Sequence, residues 1–151
     1  MSVISLAEAV EKRAGQKLVF TNGVFDILHA GHVTYLEQAR CLGDMLIVAL
    51  NSDASAQALA KGANRPVNTL DDRAKVVSAL RAVDAVIAFD ELTPNFVIGA
   101  LKPEFHVKGG DYKIEDLPES EIVRAYGGEV VVLPFVPGKS TTNLLKRLGV
   151  E

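Results

Sequence analysis

The chain has 151 residues, 48% of them apolar and 23% charged, with a formal net charge of −3. That length fits one domain with a substantial core, and the acidic balance argues against a nucleic-acid binder, which needs a basic face. One cysteine, Cys41, leaves no internal disulfide to form, no signal-peptide pattern opens the chain and no apolar run reaches membrane-spanning length, so a cytoplasmic protein without a membrane partner is expected.

Strand and helix signals alternate along the chain. Ser5 is placed to cap a first helix running to Arg13, and Lys17–Thr21 reads as a short buried strand. A polar turn follows, then an amphipathic helix over Val33–Leu42 that Gly43 stops. The unbroken apolar run Met45–Leu50 has the length and character of a central parallel strand. Asp53–Ala60 reads as a short helix, Lys61–Asn68 as a loop and Asp71–Arg81 as a helix. Ala85–Ala88, Phe105–Lys108 and Glu129–Leu133 are the remaining strands, with helices over Pro94–Leu101, Glu119–Tyr126 and Thr141–Leu148. The pattern predicts a single α/β domain, a Rossmann-like αβα sandwich on a five-stranded parallel sheet.

In such sheets ligands bind beyond the carboxyl ends of the strands. Here those ends carry Thr21–His32, Asn51-Ser52-Asp53, Lys108-Gly109-Gly110-Asp111-Tyr112 and Pro137–Thr142, all polar. The first is the richest: His29-Ala30-Gly31-His32 sits where a strand feeds a helix, the place where unpaired N–H groups and the helix dipole favour phosphate. Two imidazoles on one turn can donate hydrogen bonds to charge developing on a phosphoryl group. The competing readings are ordinary surface or core histidines, or two ligands of a metal site. The metal reading lacks the third and fourth ligands zinc needs nearby. His106, alternating with apolar residues, reads as a packed histidine. Gly138-Lys139-Ser140 imitates the end of a Walker A motif, but Leu133 stands where its first glycine belongs.

The His-x-Gly-His turn resembles the signature of the nucleotidyltransferase superfamily. Residues Thr21–Asp53, Lys108–Tyr112 and Ser140-Thr141-Thr142 are similar to the sugar-phosphate and alcohol-phosphate branch, and most like the heptose 1-phosphate adenylyltransferases. The resemblance implies a Rossmann-like fold and transfer of AMP from ATP to D-glycero-D-manno-heptose 1-phosphate. It implies catalytic roles for His29, His32 and Lys61. Nucleotide contacts would come from Thr21, Asn22, Gly23, Phe25, Gly31, Arg73, Lys108, Gly109, Asp111, Ser140, Thr141 and Thr142. Asp26, Asn51, Asp53 and Arg65 would contact the sugar phosphate. Mg²⁺ would be held mainly through the ATP phosphates, with no protein metal site, and a homodimer is expected. A glycerol-3-phosphate cytidylyltransferase-like enzyme and a non-catalytic nucleotide-binding regulatory domain remain alternatives; Asn22-Gly23-Val24-Phe25 departs from the Gly-Thr-Phe-Asp usual in the cytidylyl branch.

Overall fold

A computed structural model describes residues 3–60, 64–134 and 140–149. Five strands form one all-parallel sheet: β1 (Leu18–Gly23), β2 (Met45–Asn51), β3 (Ala85–Phe89), β4 (Phe105–Gly109) and β5 (Glu129–Leu133), in the order β3-β2-β1-β4-β5. The helices are α1 (Leu6–Arg13), α2 (Ala30–Arg40), α3 (Asp53–Ala58), α4 (Leu70–Ser78), α5 (Asn95–Leu101), α6 (Glu119–Ala125) and α7 (Thr141–Arg147). The sequence also hides a 3₁₀ turn at Ile114–Asp116, ahead of α6.

Each strand splits its side chains between two cores, as the two-residue period requires. Phe20, Met45, Ile47 and Ile87 pack with Ala9 of α1, Ile98 and Leu101 of α5 and Val123 of α6. Val19, Leu46, Val48 and Val86 pack with Leu36 and Ala39 of α2 and Ala74 and Val77 of α4. β2 is buried along its whole length, which explains its unbroken apolar run. Gly43 is required at the α2–β2 turn: a Cβ there would lie 2.6 Å from the carbonyl oxygen of Lys17.

Two boundaries differ from expectation in ways that matter. β1 runs two residues further, through Asn22 and Gly23, because β2 pairs with it as far as Gly23↔Leu50. α2 begins at Ala30 rather than Val33, so His32 lies inside the helix and His29 caps it. No described helix is long and apolar enough to cross a membrane.

The sheet has its topological switch between β1 and β4. From β1 the chain moves outward to β2 and β3, then returns on the other side to β4 and β5. β1 and β4 are in register only at Val19↔Phe105 and Phe20↔His106, whereas β1 and β2 pair along six positions. The β1 and β4 ends therefore part toward their carboxyl termini, opening the crevice where doubly wound sheets take ligands.

Candidate nucleotide-transfer site

The crevice is bridged from within. The hydroxyls of Thr21 and Tyr35 lie 2.7 Å apart, each 3.0 Å from the Val107 carbonyl oxygen. Each hydroxyl has one proton, so one donates to the carbonyl and the other to its neighbour. Burial pushes the Tyr35 hydroxyl pKa up, keeping it a donor. Thr21 is thus a strut joining β1, α2 and β4. Its neighbour Asn22 carries a buried Oδ1 that has no hydrogen-bond partner among the described residues.

The two histidines form an unusual helix cap. A capping box normally uses a Ser or Thr hydroxyl and a Glu carboxylate. Here His29 is the N-cap, its Nδ1 accepting from Gly31 N–H at 3.0 Å, and His32 Nδ1 accepts from His29 N–H at 3.3 Å. With both Nδ1 atoms acting as acceptors, a neutral ring must carry its proton on Nε2. The rings stack 3.9 Å apart at 27°, and Phe25 lies 5.1 Å from His32. Burial, then the neighbouring His29, lower the His32 pKa to about 4. His32 is therefore a neutral N–H donor at physiological pH, beside a helix N-terminus that attracts anions. Phe25, packed on His32, holds a left-handed backbone conformation (φ 49°).

One loop joins this cap to the last helix. The Asp26 carboxylate accepts from Val67 N–H (2.8 Å) and Asn68 N–H (2.9 Å), while Asn68 Nδ2 donates to the Asp26 carbonyl at 2.7 Å. From the same loop Arg65 Nη2 donates to Thr142 Oγ1 at 3.2 Å. Ser140 caps α7, its Oγ accepting from Asn143 N–H at 2.9 Å. The loop thus brings Arg65 and the Ser140–Thr142 helix start together.

Behind it sits Arg73, 1% exposed. Its Nε donates to the Asn68 carbonyl (3.0 Å), Nη1 to the carbonyls of Val24 and Asn51 (2.9 Å each) and Nη2 to Asp53 Oδ1 (2.8 Å). Asn51 Nδ2 donates to Ser55 Oγ at 3.0 Å. In this structure Arg73, Asp26, Asn51 and Asp53, expected at the ligand, are engaged within the chain. Arg73 spends its fork on three backbone carbonyls and a carboxylate, and both Asp26 oxygens are taken by backbone N–H groups. Asn51 and Asp53 are tied to Ser55 and Arg73. All four hold the loops that form the site.

On the other lip Lys108, Gly109 and Gly110 leave β4. Gly110 has φ 122°, a conformation that suits glycine, and its N–H donates to the Leu133 carbonyl. Asp111 is exposed and Tyr112 half-exposed. Lys61 and Pro137-Gly138-Lys139 lie outside the described residues, as does the Thr141 side chain. Sequence reading missed Tyr35 and Asn68, which carry no motif. It also took His106 for packing alone, whereas its Nε2 meets Glu119 Oε1 at 3.2 Å.

Among the described residues no group of three or more His, Cys, Asp or Glu side chains is placed to hold a metal ion. Both Asp26 oxygens accept backbone N–H groups, and one oxygen of Asp53 is paired with Arg73.

Residues 20–143 match the cytidylyltransferase-like family. The chain is 55% identical over 148 residues to the bifunctional protein HldE of Escherichia coli O1:K1 / APEC, an alignment covering 98% of this chain and 31% of that one. It therefore spans about a third of the length of the curated relatives it matches. The lipopolysaccharide core biosynthesis protein from Thermoplasma volcanium GSS1 is similar in structure, with a TM-score of 0.65 at 30% identity over 81% of this chain and 98% of that one. Pantothenate synthetase from Thermus thermophilus, 16% identical, shares the fold with a TM-score of 0.65, over 90% of this chain and 62% of that one. The matched residues run from the middle of β1 into α7 and so take in both lips of the crevice and the histidine cap between them: the chain belongs to the cytidylyltransferase-like family.

Proposed function

We propose that this chain transfers AMP from ATP to D-glycero-D-manno-heptose 1-phosphate, giving ADP-heptose and pyrophosphate. The observation that carries the chemistry is the histidine cap: Nδ1 of each ring is held by a backbone N–H, which leaves Nε2–H as the ring's donor. The acceptor phosphate, with a second pKa of ~6, is already mostly ionised at neutral pH and needs no general base. An oxygen of that phosphate attacks the α-phosphorus of ATP, a new P–O bond forms, and the bond to the β-phosphate breaks. Negative charge grows on the α-phosphoryl oxygens in that transition state, and two fixed N–H donors stabilise it without having to reorganise. A neutral His32 does this without gaining or losing a proton.

Arg65, beside Thr142, supplies positive charge to an incoming phosphate, and the start of α7 offers N–H groups to the β- and γ-phosphates. Mg²⁺ would arrive on the ATP phosphate oxygens. The heptose acceptor rests on the sequence resemblance and on the similarity to HldE and to the lipopolysaccharide core biosynthesis protein. A homodimer belongs to the same proposal. The test is pyrophosphate release with ATP or CTP against heptose 1-phosphate, glycerol 3-phosphate and phosphopantetheine. ATP with heptose 1-phosphate should lead by ~100-fold in kcat/KM, under ~3 kcal/mol of discrimination. A lead for CTP with glycerol 3-phosphate would overturn the substrate assignment. Tight ATP binding without turnover of any pair would favour a regulatory domain.

A further inference from the structure

Under the β4 lip lies a charged cluster that the transfer chemistry does not use. Glu119, the first residue of α6, is 5% exposed, and His106 is fully buried. A single carboxylate oxygen, Glu119 Oε1, lies 3.2 Å from His106 Nε2 and 3.4 Å from Lys108 Nζ. His106 is stacked on Phe20, 5.6 Å between ring centres, which fixes its plane. Its Nδ1 is buried without a partner among the described residues, as expected when the ring's proton sits on Nε2 and points at the carboxylate. The His106 hydrogen bond, first among several causes, lowers the Glu119 pKa to about 2, and burial lowers that of His106. The carboxylate is therefore charged and the imidazole neutral, leaving one negative charge for one ammonium.

Lys108 stands where β4 opens into Gly109-Gly110. Its ammonium also lies 5.6 Å from the centre of the Tyr112 ring, so it is bracketed by a carboxylate and an aromatic ring. A free lysine carries rotamer entropy that a bound ligand must otherwise remove. Held in this way, the side chain has already lost that freedom before anything binds, and preorganisation of this kind shows as affinity.

We infer that Glu119, oriented by His106, is a positioning residue that fixes the Lys108 ammonium at the lip of the crevice for an ATP phosphate or ribose oxygen. This inference rests on the proposed function, in which ATP occupies that crevice. The Glu119 carboxylate oxygen meets His106 and Lys108, and its effect on ATP passes through Lys108.

The experiment is a double-mutant cycle on the full chain, with kcat and KM for Mg·ATP measured at saturating acceptor. Glu119→Gln keeps an acceptor for His106 and removes the charge; it should raise the ATP KM by ~10-fold with kcat within ~2-fold. Lys108→Met should raise it at least as much, and the double variant should be no worse than Lys108→Met alone. Glu119→Asp retains the charge but retracts it by one methylene. It is the second variant should the Gln form not fold, with a rise of ~3-fold that disappears on the Lys108→Met background. An unchanged KM in the Glu119 variants, or losses that multiply in the double variant, would overturn the inference and leave Glu119 a stabilising residue that moves only Tm. Wild-type protein that bound no ATP by calorimetry would overturn the inference together with the proposed function.

Discussion

Replacing Arg73 by Met tests the view that this cation holds the site together from behind. The substitution keeps a flexible apolar stem and removes the guanidinium. The carbonyls of Val24, Asn51 and Asn68 and one oxygen of Asp53 then lose their donor inside the fold. Hydrogen bonds to a charged donor contribute about 1.5–3 kcal/mol each, but solvent can reach Asp53, whose side chain is 54% exposed. Counting only the three carbonyls at the low end gives a loss of about 4.5 kcal/mol, a large part of the 5–15 kcal/mol typical of a domain. At roughly 2–4 °C per kcal/mol for a chain of this size, Tm should fall by about 9–18 °C. Arg73→Lys should lose more than half as much, because one ammonium cannot span four acceptors in fork geometry. Thermal unfolding followed by circular dichroism without ligand reads this directly. A Met variant melting within ~2 °C of the parent yet failing to bind ATP would refute the reasoning and put the guanidinium on the triphosphate.

His29→Ala and His32→Ala should each lower kcat by ~100-fold or more in steady-state pyrophosphate release, while the ATP KM moves much less, since the donors act on transition-state charge. The His32 pKa is about 4 in the fold against 6.5 for the free side chain, so the unfolded chain binds the proton first. Stability from this group is complete above pH 6.5 and is lost as pH falls toward 4. Urea unfolding at pH 5 against pH 7 should show a deficit of about 1–2 kcal/mol that His32→Gln removes. Asp26→Asn, which weakens the acceptor for Val67 and Asn68 N–H, should raise KM for the acceptor phosphate by several-fold, with a Tm change of only a few degrees.

The sheet was legible because its strands announce themselves: Met45–Leu50 is apolar throughout since both faces of β2 are covered. The crevice could be placed as well, since a polar loop follows each of the strands that form it. The start of α2 was not legible. Imidazoles occupy the cap positions where hydroxyl and carboxylate side chains are the recognisable signal, so the helix seemed to begin after His32. Charged residues were the least legible of all. Arg73, Asp26 and Asp53 have the composition of a phosphate-binding surface. For Arg73 and Asp26 the actual partners are mostly backbone groups of Val24, Asn51, Val67 and Asn68, which converge only once the chain has folded. Glu119 gave no sign, because its partners His106 and Lys108 lie on a strand more than ten residues earlier.

The central claim is that an acceptor phosphate displaces pyrophosphate from ATP beneath two histidine donors. ³¹P NMR of wild-type protein with Mg·ATP and heptose 1-phosphate reads the products directly. The account predicts pyrophosphate appearing in step with a coupled pair of doublets from a sugar diphosphate, and loss of both signals in His32→Ala at equal protein concentration. ADP or orthophosphate as the first product, or a diphosphate signal undiminished in His32→Ala, would contradict it.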